Sequence, residues 1–216
     1  MTLAAQLEVV PRIFIRQRRE MIELFGLESR NKYSIETESG DSIGFAAEQG
    51  KGIAGTLVRQ LLGHWRSFEI RIFDRDRRSE LIAFHPFRFY FHRLEICTAD
   101  GRRLGAVERR FSILTKTFDV HGPAGEVIAE VSSPLWRPWT YIFRHQGIEI
   151  GAVRKKWGGL IREAFLDADS FAVEFAATTS DGDTRLVLLG AAMFIDVMYF
   201  EKKGTGPFSI ADLIPG

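Results

Sequence analysis

Leu186–Phe200 reads LVLLGAAMFIDVMYF, and whatever encloses this run decides the fold. It is apolar almost all round, so a helix built from it must be surrounded by protein or by lipid. A membrane span needs about 20 apolar residues, whereas a run of about 10–14 is more often a buried core helix. This stretch falls between the two. It contains Asp196 and ends in Glu201, Lys202 and Lys203. A carboxylate near the bilayer centre costs about 2.5–3.5 kcal/mol on insertion scales, which favours enclosure by protein. Asp181-Gly182-Asp183 ahead of the run reads as a turn and helix start, with Asp183 or Thr184 as the cap.

The chain outside this run must supply the enclosure, and it alternates with a period of two. Phe68, Ile70 and Ile72 alternate with Ser67, Glu69 and Arg71, and Ile148 and Ile150 alternate with Glu149 and Gly151. Candidate strands lie at 12–17, 31–38, 42–48, 67–74, 79–84, 88–97, 103–109, 112–120, 126–132, 138–145, 148–156 and 170–175. Phe87, Phe89 and Phe91 share one face while Leu94 and Ile96 share the other, so a bulge is expected near His92. A pattern Gly-x-x-(Ile/Leu)-(Gly/Ala) recurs at Gly40–Gly44, Gly101–Gly105, Gly125–Ala129 and Gly147–Gly151. Its leading Gly suits a hairpin tip of positive φ. The Ile or Leu is expected to point inward, and the small residue after it to leave room on the opposite face. Any antiparallel meander also carries Gly at its turns, which is the plainer reading. Some twelve strands escape exposed edges by closing. A barrel of that size has a lumen too wide for strand side chains alone to fill. The expectation is therefore an all-β domain: a closed, roughly 12-stranded antiparallel barrel enclosing a hydrophobic C-terminal helix. It covers 1–203 as a single domain, with 204–216 as a tail. A single-pass C-terminal membrane helix is the alternative.

Composition narrows the function. The 216 residues carry 29 Lys+Arg against 28 Asp+Glu, a net charge of +1, which argues against nucleic-acid binding by bulk charge. Cys97 is the only cysteine, so an intrachain disulfide and a cysteine zinc site are excluded and a reducing compartment is expected. The opening MTLAAQLEVVPRIF shows no secretory pattern, and neither end carries a myristoylation or prenylation motif. The histidines at 64, 85, 92, 121 and 145 lack metal-ligand spacing. No nucleophile motif or phosphate-cradling Gly loop is evident, so bond-making chemistry is not expected.

Several motifs, taken in order, resemble the phospholipid scramblase family. They are Asn31-Lys32-Tyr33-Ser34-Ile35, Phe45-Ala46-Ala47-Glu48, Pro86-Phe87-Arg88, Lys156-Trp157-Gly158-Gly159-Leu160, Arg162-Glu163-Ala164-Phe165, Asp167-Ala168-Asp169-Ser170-Phe171 and Leu189 to Glu201. The resemblance covers about residues 12–201. It implies the tubby-like fold, a closed barrel around a hydrophobic helix, which agrees with the reading from periodicity. It also implies binding of membrane phospholipids and their transbilayer movement. Where animal members carry a palmitoylated cysteine cluster, this chain has Phe87-Arg88-Phe89-Tyr90-Phe91-His92, so acyl anchoring is not expected. The chain is expected in the cytoplasm, peripheral at the cytoplasmic face of a membrane. The alternative is a soluble lipid- or protein-binding scaffold of the same fold.

Two sets of site residues follow. Arg75, Arg77 and Arg78, Arg102 and Arg103, Arg109 and Arg110, and Arg154, Lys155 and Lys156 form basic clusters near hairpin ends. Such clusters hold anionic phospholipid headgroups, and equally serve as solvated charge guarding strand edges. Asp167, Asp169 and Glu174 sit where the family's proposed Ca2+ loop lies. Counted from Asp167, the positions needing a ligand, a Gly and a bidentate Glu hold Phe171, Ala172 and Thr178. A hairpin turn explains the aspartates as well, and no cofactor is required. Trp136, Trp139 and Trp157, with Phe87, Phe89, Tyr90 and Phe91, suit a membrane interface or a core.

Overall fold

In the computed structural model, residues 1–18, 29–49, 67–86, 92–112, 115–137, 139–155 and 170–200 are described. The alternating stretches form strands β1 (Arg12–Gln17), β2 (Ser29–Glu36), β3 (Ser42–Gln49), β4 (Phe68–Asp74), β5 (Ser79–His85) and β6 (Arg93–Thr98). They continue as β7 (Arg103–Arg110), β8 (Thr117–His121), β9 (Val127–Ser132), β10 (Thr140–His145), β11 (Ile148–Lys155) and β12 (Ser170–Phe175). Each pairs antiparallel with its sequence neighbours, and β12 pairs with β1 to close the barrel. Closure leaves no exposed edge. His92 precedes β6 and is not inside a strand, so no bulge interrupts β6 there; Phe87–Phe91 lie outside the described residues. β8 begins at Thr117, five residues later than the alternation implied.

The C-terminal run is a helix, α2 (Gly182–Ile195), and it fills the lumen. Leu186, Leu188, Leu189, Ala191, Met193 and Phe194 all join one core with Ile15, Ile35, Ile70, Leu94, Phe118 and Phe143 from the strands. The helix starts one turn earlier than the apolar run. Asp181 is the cap, its carboxylate accepting from the Thr184 amide at 2.8 Å, and not Asp183 or Thr184. After Ile195 the chain widens into a π-helical turn, Asp196–Phe200. No helix among the described residues is long and apolar enough to cross a membrane. The anchor alternative therefore gives way to a helix sheathed by strands.

A second helix, α1 (Leu3–Val9), was not legible from the strand pattern. Thr2 caps it, and Leu3 and Leu7, one turn apart, are fully buried against α2 and β3. It covers the mouth where α2 enters.

Strand polarity gives the barrel two unlike ends. One carries α1 and the short turns 37–41, 75–78, 99–102, 122–126 and 146–147. The other receives the longer connections, among them 111–116 between β7 and β8 and 133–139 between β9 and β10.

Candidate functional site

The two ends sort the basic residues. Arg75, Arg77 and Arg78 lie in the β4–β5 turn, and Arg102 and Arg103 at the β6–β7 turn, all at the short-turn end. Arg109 and Arg110 finish β7, and Arg154 and Lys155 finish β11, at the long-loop end. Strands of eight residues separate the two groups by roughly 20–25 Å. What the sequence presents as one set of clusters is two sets on opposite mouths. Lys156, Asp167 and Asp169 lie outside the described residues.

At the short-turn end positive charge is met by negative charge. Arg102 reaches Asp183 at 2.6 Å, Arg103 reaches Glu95 at 3.5 Å and Arg78 reaches Asp76 at 3.9 Å. Arg75 donates to the Ser42 carbonyl at 3.4 Å. The turns here also carry Glu38, Asp41, Asp100, Glu126 and Asp181. Two hydrogen bonds from Thr184 hold the Asp181 carboxyl below the usual range.

Glu174 stands on the outer wall, in a ladder of ion pairs. One of its oxygens meets Arg12 at 3.1 Å and the other Arg154 at 2.8 Å. Arg12 also holds Glu38 at 2.6 Å, and Arg154 approaches Glu149 at 3.8 Å. Next to it, Glu36 is gripped by Arg16 at 3.1 Å and Arg18 at 2.9 Å. Burial alone would raise the Glu36 pKa, but hydrogen bonds from Ser34 and Arg18 and the two positive charges bring it below the usual value. To ligate a cation, Glu174 would have to release both arginines. Among the described residues no group of three or more His, Cys, Asp or Glu is placed to hold a metal.

Large apolar side chains are exposed at both ends, Met1, Val9, Val127 and Ile148 at the short-turn end, but the exposed aromatic ones among the described residues are at the long-loop end. Phe111, Leu135 and Trp136 project there with 66%, 62% and 81% exposure. The Leu135–Trp136 tip is rigidly built: the Arg137 amide donates to the Pro134 carbonyl at 2.9 Å, and the Thr140 amide to the Arg137 carbonyl at 2.9 Å. Because β8 and β9 pair with Thr117 opposite Ser132, the two loops start side by side. The Ser133 amide donates to the Lys116 carbonyl at 3.3 Å and ties them together. Basic side chains surround the tips. Arg109, Arg110 and Arg137 are exposed, and the Lys116 ammonium lies 4.1 Å over the Tyr199 ring. Arg110 leans on Asp119 at 3.4 Å and Glu130 at 3.7 Å. Phe111, Lys116, Leu135 and Arg137 escaped the sequence reading. Pro134-Leu135-Trp136-Arg137-Pro138, an apolar pair between prolines, was the signal for the last two. Of the aromatic set, Trp136 is exposed and Trp139 packs against the core, while Trp157, Phe87, Phe89, Tyr90 and Phe91 lie outside the described residues.

Inside the barrel, towards the same end, buried polar groups are matched to one another. The Tyr33 hydroxyl donates to Asp196 at 2.8 Å, which answers how the buried turn after α2 tolerates a carboxylate. Gln17 donates to Asn31 and Asn31 to Glu48, each at 2.8 Å. His85 and His92, for which the sequence spacing suggested no joint role, share a ring-nitrogen contact of 3.1 Å, and His85 stacks on Phe68. Outside the lumen, next to the short turn after β6, burial and the adjacent Glu95 push the half-buried Cys97 thiol up, away from the reactive thiolate.

Comparison with known proteins agrees with the motifs. Human "Phospholipid scramblase 2" is 29% identical over 211 residues, spanning 91% of this chain and 69% of that protein. Human "Phospholipid scramblase 1" is 28% identical over 214 residues, covering 92% of this chain and 66% of that one. The chain thus spans about two thirds of the curated relatives it matches. A Schizosaccharomyces pombe phospholipid scramblase family protein is 24% identical over 231 residues, 90% of this chain and 61% of that protein. A solved Arabidopsis thaliana structure superposes with a TM-score of 0.49 at 9% identity, covering 87% of this chain and 93% of that one. The family model described as Scramblase matches residues 2–202, so the chain belongs to the Scramblase family.

Proposed function

We propose that this protein binds anionic phospholipids at the cytoplasmic face of a membrane, as a peripheral protein, and acts on their distribution between leaflets without making or breaking bonds. The match to the Scramblase family over residues 2–202 carries the reading. Exposed arginines at the long-loop mouth, Arg109, Arg110 and Arg137, support it. Each cation close to an anionic leaflet contributes about 1 kcal/mol. The lumen is occupied by α2, so lipid movement belongs to the outside of the barrel and to disturbance of the bilayer beneath it. Calcium is not required by this reading, since Glu174 is committed to Arg12 and Arg154. Flotation of the full chain with phosphatidylcholine vesicles, with and without phosphatidylserine, tests it. Binding is expected only to the anionic vesicles, weakening with salt because exposed charge is screened over about 8–10 Å. Micromolar calcium should change it little. Equal recovery with neutral vesicles, or none with either, would favour the scaffold alternative.

A further inference from the structure

We infer that the barrel docks end-on, with its long-loop mouth on the anionic bilayer and its short-turn mouth facing away. The apolar contact is made by Phe111, Leu135 and Trp136. This rests on the phospholipid-binding reading above and adds which surface does the binding.

Three observations point to one end. Phe111 and Trp136 are the exposed aromatic side chains among the described residues and stand with exposed Leu135 at this mouth, whereas the large apolar side chains exposed at the other mouth, Met1, Val9, Val127 and Ile148, are aliphatic and spread over α1 and two separate hairpins. They sit on loops joined by the Ser133–Lys116 hydrogen bond, so they occupy one arc of one mouth. Large apolar side chains brought together on a surface mark an interaction site. The Pro134–Arg137 turn holds the tip by hydrogen bonds, so inserting Leu135 and Trp136 requires no refolding of the loop. Tryptophan at a loop tip suits the interfacial region of a bilayer.

Charge then selects the kind of surface. In the described parts of these two loops, residues 111, 112, 115, 116, 133–137 and 139, Lys116 and Arg137 are basic and no residue is acidic. Arg109 and Arg110 precede Phe111 at the end of β7, Arg109 exposed and Arg110 shared with Asp119 and Glu130 at 3.4 and 3.7 Å. A cationic ring around an apolar tip complements an anionic leaflet: the ring meets headgroups while the tip enters the acyl boundary. The opposite mouth has arginines too, but Asp183 and Asp76 answer Arg102 and Arg78, and Glu38, Asp41, Asp100 and Glu126 lie in its turns. Those carboxylates are repelled by an anionic surface.

The test compares four forms of the full chain on vesicles containing phosphatidylserine: the unmodified chain, Trp136→Ala, Leu135→Ala/Trp136→Ala, and Arg75→Ala/Arg78→Ala/Arg102→Ala. Thermal unfolding verifies that each is folded, which exposed positions favour. The loop-tip variant is expected to lose on the order of tenfold or more in partitioning, as buried apolar area is lost. The short-turn variant should stay within about twofold, since Arg78 and Arg102 already face Asp76 and Asp183, Arg75 is turned onto the Ser42 carbonyl, and this mouth points away from the bilayer. Brominated acyl chains should quench a component of tryptophan emission that the Trp136→Ala protein lacks. Binding that survives the loop-tip change, or falls mainly with the short-turn change, overturns the orientation and leaves the lipid reading standing. Quenching unchanged in Trp136→Ala overturns it as well. Failure of the unmodified chain to bind anionic vesicles instead rejects the lipid reading itself.

Discussion

Arg185 locks the closed mouth of the barrel. It is buried within the first turns of α2 and donates to the carbonyls of Thr179, Leu7 and Val10, the last at 2.7 Å. Its guanidinium lies 4.9 Å over Phe175. Burial pulls its pKa below the ordinary arginine value, while Glu8 acts in the opposite direction. Glu8 completes a reciprocal clamp by accepting from the Gly182 amide at 3.2 Å. Each helix thus supplies the other's terminal backbone groups with a partner. Arg185→Met keeps much of the volume and leaves the carbonyls without their donor, so a loss of about 2–4 kcal/mol is expected in urea unfolding. Arg185→Lys should recover only part of it, because one ammonium cannot span the three acceptors as a planar fork does. A change under about 1 kcal/mol in Arg185→Met would show that α1 is held by Leu3 and Leu7 alone. A lone Arg just ahead of the apolar run gave no hint of this, since two of its acceptors, the Leu7 and Val10 carbonyls, are remote in the chain.

The short-turn hairpins are variations on one design. In four of them the first residue's amide donates to the fifth residue's carbonyl: Thr37 to Asp41, Asp74 to Arg78, Thr98 to Arg102 and Gly122 to Glu126. The fourth residue has positive φ in each: Gly40 at 87°, Arg77 at 64°, Gly101 at 90° and Gly125 at 90°. The fifth hairpin turns tightly through Gln146 and Gly147, both at positive φ. In all five a residue three places past that position is an extra one in the ladder: Ile43, Glu80, Leu104, Ile128 and Ile150. The recurring Gly-x-x-(Ile/Leu)-(Gly/Ala) pattern is therefore a turn followed by a bulge. The isoleucines and leucine belong to the core or pack on it, as expected. The small residue differs from expectation, because it too faces inward. A Cβ on Gly105 would come 2.2 Å from the His121 carbonyl and 3.2 Å from Val187 of α2. Four copies were legible through their glycines, and the fifth was hidden because Arg77 stands in the glycine position. Asp74 eases that turn by accepting from the Arg78 amide at 2.8 Å. Arg77→Gly should raise stability by about 0.5–1 kcal/mol, the cost of left-handed backbone at a non-glycine less the added freedom of the unfolded chain. An unchanged or lower midpoint of thermal unfolding would contradict it.

At the scale of the molecule, strands and helix are conditions for one another. The strands alone would enclose a wide lumen, and α2 alone would expose apolar surface all round. Leu186, Leu188, Leu189, Met193 and Phe194 each have at most 2% exposure. A single Leu→Ala change in such a core costs about 2–5 kcal/mol, and removing the helix removes many such side chains together. Truncation before Asp181 should therefore give an insoluble or molten product, with weak near-ultraviolet circular dichroism and a broad thermal transition. A monomeric fragment that unfolds cooperatively would mean that the barrel stands without its plug.

Period-two alternation, glycine turns and a helix-length apolar run determined the class of fold, the number of strands and the presence of a central helix. These are local signals, since each face of a strand or helix is written within a few residues. Only the tertiary structure decided which mouth each basic cluster occupies, that Arg12 and Arg154 share Glu174, and that the Tyr33 hydroxyl donates to Asp196. It also decided that Phe111 and Trp136 lie on one arc, through the pairing of β8 with β9. Those relations join residues far apart in the chain, and strand polarity and register, set by closure of the whole barrel, are what bring them together.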